Sequence, residues 1–302
     1  MPLTFQEEIS VHPFMSKPSS KPWRIDMNRR QELLEKGFCK FPRILDHSFL
    51  AQLRDQTNQQ LDELSEEKKQ HSGGQGSIFG LSYRDQVFRD LICLPEAIDS
   101  LRSLGFSDPK FWSGYVIARE PGSPRAYWHQ DWPFWGEMES WEEVPHQLFL
   151  MYYLTDTTPT NGCLRVIPGS HHQRCSAHDH EGHETPARHE DPETSPAYAS
   201  HPNEIDVPIQ AGDLLVGDAR ILHAPHSNQT DQRRTVITMW YMPRHHELSN
   251  AMKAALQTNL FYPMQEDLPD LEKERLGKTL INYDGDVAPA TWDRNPTRFF
   301  KS

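Results

Sequence analysis

The sequence predicts a mainly β domain of the sandwich or jelly-roll kind, flanked by helices. From Phe111 onward the β-patterned runs are short, and turn residues separate them: Pro121-Gly122, Asn161-Gly162, Pro168-Gly169 and Ala211-Gly212. Many short strands cut by Gly, Asn and Pro belong to sandwiches and jelly rolls; in a parallel α/β sheet, strands alternate with helices. Helical periodicity is confined to the chain before Phe111 and after Pro243.

Residues Met1 to about Lys21 are polar and aperiodic and read as an arm. Asn28 to Lys36 is a short helix stopped by Gly37, and Phe38-Cys39-Lys40-Phe41 alternates like a strand. A longer helix begins near Ser48 behind Asp46, a natural N-cap, with Phe49, Leu53, Leu61 and Leu64 on its apolar side. Ser72 to Gly76 is a turn; without a preceding strand it has no value as a phosphate loop. Pro95 to Leu104 is a helix with proline in its first turn. Strands follow at Phe111–Arg119, Gln147–Leu154, Cys163–Ile167, Asp206–Ile209, Asp213–Val216 and Arg234–Met242, with Asn161-Gly162 as the clearest hairpin marker. Between Ser170 and Pro202 seven histidines (171, 172, 178, 180, 183, 189 and 201) lie irregularly among carboxylates, which describes a solvated loop better than a metal store. Leu248–Leu256 and Asp267–Leu276 read as helices, and Trp292–Phe300 as a packed tail.

Composition limits the function classes. With 302 residues, 36% hydrophobic and 25% charged, the chain describes a soluble globular protein. Its longest apolar run, Leu148 to Leu154, is too short to span a bilayer, so no membrane association is expected. A formal charge of -12 argues against a nucleic-acid partner. Cys39, Cys93, Cys163 and Cys175 are widely spaced and no secretory pattern precedes them, which predicts reduced thiols and a cytoplasmic location.

The stretch Tyr127 to Trp135 places His129 and Asp131 two apart, so on an extended strand both side chains leave one face. A second imidazole, His223, follows a β-patterned run, and Arg234 lies on the next strand. Two histidines and one carboxylate make the facial triad of non-haem Fe(II) oxygenases. His226 is a rival ligand at this level.

His129-Gln130-Asp131, Leu154-Thr155-Asp156, Asn161 to His171, Gly212-Asp213, His223, Asn228 and Arg234 together resemble the phytanoyl-CoA dioxygenase family in order and spacing, over about Asn28 to Met242. The resemblance implies a double-stranded β-helix, a jelly-roll (cupin-like) barrel. It implies Fe(II) held by His129, Asp131 and His223, with 2-oxoglutarate as co-substrate and dioxygen as oxidant. By the same resemblance Arg234 clamps the distal carboxylate of the co-substrate, Tyr115 and Met151 line its pocket, and His223 is preferred over His226. Relatives often carry Ser where this chain has Pro225, which leaves the second contact to that carboxylate open. Because Asp131 is present, hydroxylation is favoured over halogenation. The domain layout that follows is an arm at 1–27, one catalytic domain at 28–245 with a lid or loop at 171–205, and a helical extension at 246–302. The product set is succinate, carbon dioxide and an oxidised small molecule. A jelly-roll binding protein without turnover and a non-oxidative metal enzyme are the other readings. Trp128, Trp132, Phe134, Trp135, Trp240 and Tyr241 are candidates for an aromatic substrate wall or for core, and Arg119 and Arg125 for an anionic substrate or for solvent.

Overall fold

A computed structural model of the chain describes residues 24–65, 67, 77–81, 83, 85–180, 190–259, 267–296 and 300. Most of the N-terminal arm, the turn at 72–76, and His183 and His189 lie outside these residues. Nine strands are described: β1 (Phe38–Phe41), β2 (Ser77–Gly80), β3 (Lys110–Arg119), β4 (Leu148–Tyr153), β5 (Leu164–Val166), β6 (Ile205–Val207), β7 (Leu214–Asp218), β8 (His223–Pro225) and β9 (Arg234–Met242). They form a six-stranded sheet, β1-β7-β4-β9-β3-β2, and a three-stranded sheet, β6-β5-β8, antiparallel throughout. The helices are α1 (Met27–Lys36), α2 (His47–Asp62), α3 (Gln86–Ile92), α4 (Pro95–Ser103), α5 (Asn250–Thr258) and α6 (Asp270–Thr279).

Local chemistry sets the helix ends. The Asp26 carboxylate accepts from Arg29 N at 3.1 Å and starts α1. Gly37, at φ +87°, ends it while donating to Leu33 O at 2.9 Å. The αL conformation favours glycine there, and a Cβ would meet Ile221 Cδ1 at 2.6 Å. Asp46 caps α2 through Phe49 N at 2.8 Å.

Side-chain alternation along β4 divides two cores. Leu148, Leu150 and Tyr152 join Ile237, Met239 and Tyr241 of β9, and against them pack Leu53, Leu61, Phe88 and Leu101 from α2, α3 and α4. Phe149, Met151 and Tyr153 face the other way, toward Leu164 and Val166 of the small sheet. A one-residue slip would exchange these sets, and each such side chain contributes about 1.5–3 kcal/mol on full burial, so the register is strongly specified. The barrel interior therefore lies between the two sheets, and the helices cover the outer face of the large one.

Three elements were not legible. β2 is four residues long and finds its partner only across β3. The α3 N-cap, Asp85, makes no side-chain cap bond. β8 is three residues long. The hairpin expected at Asn161-Gly162 is absent, because β4 belongs to the large sheet and β5 to the small one. Asn161 instead closes a local turn, accepting from Thr158 N and donating to Asp156 O, and Gly162 (φ +92°) carries the chain across. No helix among the described residues is long and apolar enough to cross a membrane.

Candidate active site

His129 and Asp131 do not lie on a continuous strand as the spacing suggested. His129 makes one antiparallel bridge to His223, with reciprocal N–H to O=C bonds of 3.2 and 3.0 Å. Asp131 N donates to Ala219 O at 2.7 Å. The segment thus follows the edge of the loop leading into β8, and this apposition brings the three residues together. Ligand atoms of His129, Asp131 and His223 all lie within 4.8 Å of one another, and all three residues are buried. His223 Nε2 is 3.7 Å from Asp131 Oδ2.

The imidazole tautomers follow from their partners. His129 Nδ1 is 3.0 Å from Tyr127 O, and His223 Nδ1 is 3.0 Å from Ile221 O. A carbonyl only accepts, so each Nδ1 carries the proton and each Nε2 presents its lone pair toward the cluster. Two imidazole nitrogens and one carboxylate converging within 4.8 Å would hold a divalent metal on one side. The donor set therefore fits a facial-triad Fe(II).

Neighbours fix these three side chains. Trp240 Nε1 donates to Asp131 Oδ2 at 2.8 Å. The Phe149 ring lies 4.9 Å from that of His223. Ahead of His223 the loop is pinned by a buried pair, Arg220 to Asp218 at 2.6 Å. Burial alone would raise the Asp218 carboxyl, but Arg220 outweighs it and leaves the carboxyl below its ordinary value. The Gln130 amide donates to Arg220 O, which ties the His129–Asp131 segment to the one leading into His223.

One cavity of ≈ 260 Å³ is lined by His129, Asp131 and His223 and by Tyr115, Met151 and Arg234. Its β9 wall is the alternating set Arg234, Val236, Thr238 and Trp240. Arg234 is buried and donates through Nη2 to Gly162 O at 2.6 Å, while its Nε has no hydrogen-bond partner. Among the described residues no carboxylate pairs with it. Burial pushes its pKa down. Arg119 is its register partner on β3, also buried, with a pKa brought to about 9 by burial and then by the charges of Arg234 and Arg165. This end of the cavity thus carries a buried positive charge, complementary to an organic anion.

The other candidates fall elsewhere. His226 pairs with Asp206 at 2.6 Å, in a separate group with Cys163. Asn228 donates to Arg119 O and Gln232 O, shaping the loop. His171 is buried against Leu34 O at 2.9 Å, and Arg233 pairs with Asp62 and Glu120. Of the six aromatics read as a mouth cluster, only Trp240 lines the cavity. Trp128, Trp132, Phe134, Trp135 and Tyr241 are buried in cores. Arg125 is half-buried on the Tyr198 carbonyl. Trp112, Gln147, Thr238 and Arg294 line the cavity without having been singled out. Trp112 escaped notice because a β-bulge between Phe111 and Ser113 breaks the strand alternation and turns it inward.

A sequence model described as phytanoyl-CoA dioxygenase (PhyH) matches residues 33–236. The dioxygenase lolE1 of Epichloe uncinata is 26% identical over 149 residues, 49% of this chain and 52% of that protein. The L-proline trans-4-hydroxylase of Streptomyces griseoviridis is 25% identical over 225 residues, 68% of this chain and 82% of that protein. The chain spans about half the length of the first two curated relatives, 52% and 55%. Among solved structures, the epimerase SnoN in complex with Fe3+, alpha ketoglutarate and nogalamycin RO aligns with a TM-score of 0.56 at 19% identity, over 88% of this chain and 96% of that one. At this identity the likeness shows the fold, an antiparallel jelly roll.

Proposed function

Because the chain belongs to the phytanoyl-CoA dioxygenase family, we propose that it is an Fe(II)- and 2-oxoglutarate-dependent dioxygenase that hydroxylates a small molecule. The observation that carries this reading is a buried arginine, Arg234, that has no counter-ion among the described residues and lines the same cavity as a His-Asp-His cluster. A protein without an anionic co-substrate has no use for an uncompensated buried charge, which costs several kcal/mol of desolvation (on the order of 3–5 when a partner is missing).

His129 Nε2, Asp131 and His223 Nε2 hold the metal in this proposal. With Fe(II), 2-oxoglutarate and dioxygen bound, the centre couples oxidative decarboxylation to succinate and carbon dioxide to oxidation of a substrate C–H bond. The protein's own part is positional. Arg234 fixes the distal carboxylate through its unpartnered Nε and a second N–H. Tyr115 and Met151, register partners of Thr238 on either side of β9, flank the path from Arg234 to the cluster. Pro225 lines the cavity where relatives supply a hydroxyl, and the Gly162 carbonyl on Nη2 orients the guanidinium in its place. The Trp240 indole holds Asp131 in the ligating rotamer. Leu164, Val236 and Ile117 exclude water from the positive end. We assign this chemistry to residues 28–245.

The test is product analysis. Full-length protein with Fe(II), 2-oxoglutarate and air should release succinate, even without a primary substrate, and His129→Ala should abolish it. Iron-loaded, folded protein that consumes no 2-oxoglutarate would favour a binding protein or a non-oxidative enzyme.

A further inference from the structure

A second cation lines the cavity. Arg294 lines it from a C-terminal strap that docks beside the His129–Asp131 segment: Asp293 N donates to Pro133 O at 2.7 Å and Trp135 N to Asp293 O at 3.3 Å. Arg294 makes no ion pair among the described residues, and its Nε is buried without a hydrogen-bond partner. Its guanidinium lies 5.3 Å from the Trp292 ring, which packs 5.7 Å from Trp112. Arg294 thus belongs to the Trp112 end of the cavity.

Gln147 provides an independent observation. It is 1% exposed, it lines the cavity, and neither its amide nitrogen nor its amide oxygen has a hydrogen-bond partner among the described residues. It immediately precedes β4 and lines the same cavity as Met151 and Tyr153, two residues before Phe149, whose ring contacts His223. A buried primary amide with both ends unmet costs about 1–3 kcal/mol per group, so a ligand is the natural complement. Arg234 and Trp240 are six residues apart on β9, about 20 Å along the strand. Trp240 is bonded to Asp131, so the Arg294–Gln147 group is a site separate from the one at Arg234.

Resting on the proposed function, we propose that the primary substrate is a carboxylate with a flat apolar body. Its anionic group is read by Arg294 and the Gln147 amide, and its body lies between Trp112 and Trp240. Guanidinium and primary amide both donate to a carboxylate, and the indole walls accept a planar hydrocarbon. Arg294 is then a specificity residue, and the strap that carries it is part of the substrate site.

The probe pair is phenylacetate and its neutral isostere phenylacetamide, titrated calorimetrically into anaerobic Fe(II)-loaded full chain saturated with N-oxalylglycine, an inert analogue of 2-oxoglutarate. Wild type should bind the anion at least about tenfold more tightly than the amide. Arg294→Gln should erase that preference and leave N-oxalylglycine affinity unchanged, which also certifies the fold. Arg294→Lys should keep part of the preference. Equal binding of the pair, no binding of phenylacetate at millimolar concentration, or a preference that survives Arg294→Gln would overturn the proposal. If N-oxalylglycine itself fails to bind, the co-substrate reading is what has failed. The pair is then titrated on metal-free protein, where dependence on Arg294 still decides.

Discussion

Replacing Arg234 by methionine should have two effects of opposite sign. Methionine has a similar length, so Arg234→Met removes the charge with little change of volume. In wild type the guanidinium is buried, gives one hydrogen bond to Gly162 O at 2.6 Å and leaves Nε unmet. Exchanging such a group for an apolar one is neutral to stabilising. The lost Gly162 bond offsets part of this, so apo protein should gain about 1 kcal/mol, or roughly 1–2 °C in Tm. The effect on 2-oxoglutarate is the reverse. Charge-assisted hydrogen bonds are worth about 1.5–3 kcal/mol each, and losing about 3 kcal/mol in all raises Kd roughly a hundredfold. At a co-substrate concentration one hundred times the wild-type Kd, wild type is stabilised by about 2.7 kcal/mol and the variant by only about 0.4. Thermal melts of the metal-loaded proteins, with and without N-oxalylglycine, read both effects together. A variant with a lower apo Tm and an undiminished ligand shift would refute the assignment of Arg234 as an uncompensated cation awaiting a carboxylate.

Trp240→Phe keeps the packing and removes the donor to Asp131 Oδ2. It should weaken Fe(II) binding by about 10–100-fold in a chelator competition while the melting curve of the apo protein stays put. Stability should also fall on acidification below pH 6.5. His178 and His245 are held near a pKa of about 4 by burial, so between pH 6.5 and 4 the unfolded chain binds more protons than the folded one. The stability they support is complete above pH 6.5 and lost as pH drops through 4; the urea midpoint at pH 5 should lie below that at pH 7, and His245→Phe should narrow the gap.

Elements with local punctuation were legible in the sequence. Asp46 and Gly37 mark helix ends by side-chain capping and a left-handed turn, so α1 and α2 follow from the residues themselves. β4 is legible because Leu148 to Tyr153 is apolar on both faces, and both faces are buried. Elements whose stability comes from distant partners were not. β2 has four residues and depends on β3 across the register, and the Asn161-Gly162 turn joins two sheets where the dipeptide alone suggests one hairpin.

The site divides the same way. His129, Asp131, His223 and Arg234 carry chemistry in their residue types, and the structure brings them to one cavity. What holds them does not show in sequence. Trp240 reads as substrate wall or core, and its bond to Asp131 appears only in the structure. Trp112 lines the cavity beside a register shift between Phe111 and Ser113 that the residue pattern does not announce. Gln147 and Arg294 are common polar residues 147 positions apart, made neighbours of one cavity only by the returning C-terminal strap.

The most direct test is spectroscopic and needs no substrate. Fe(II) and 2-oxoglutarate are added anaerobically to the apo protein, with His129→Ala and Arg234→Met alongside. A facial triad with a chelating co-substrate predicts a weak visible metal-to-ligand charge-transfer band in wild type. His129→Ala should lose the band, and Arg234→Met should recover it only at about a hundredfold higher co-substrate. A folded, iron-bound wild type that shows no band would contradict the assignment.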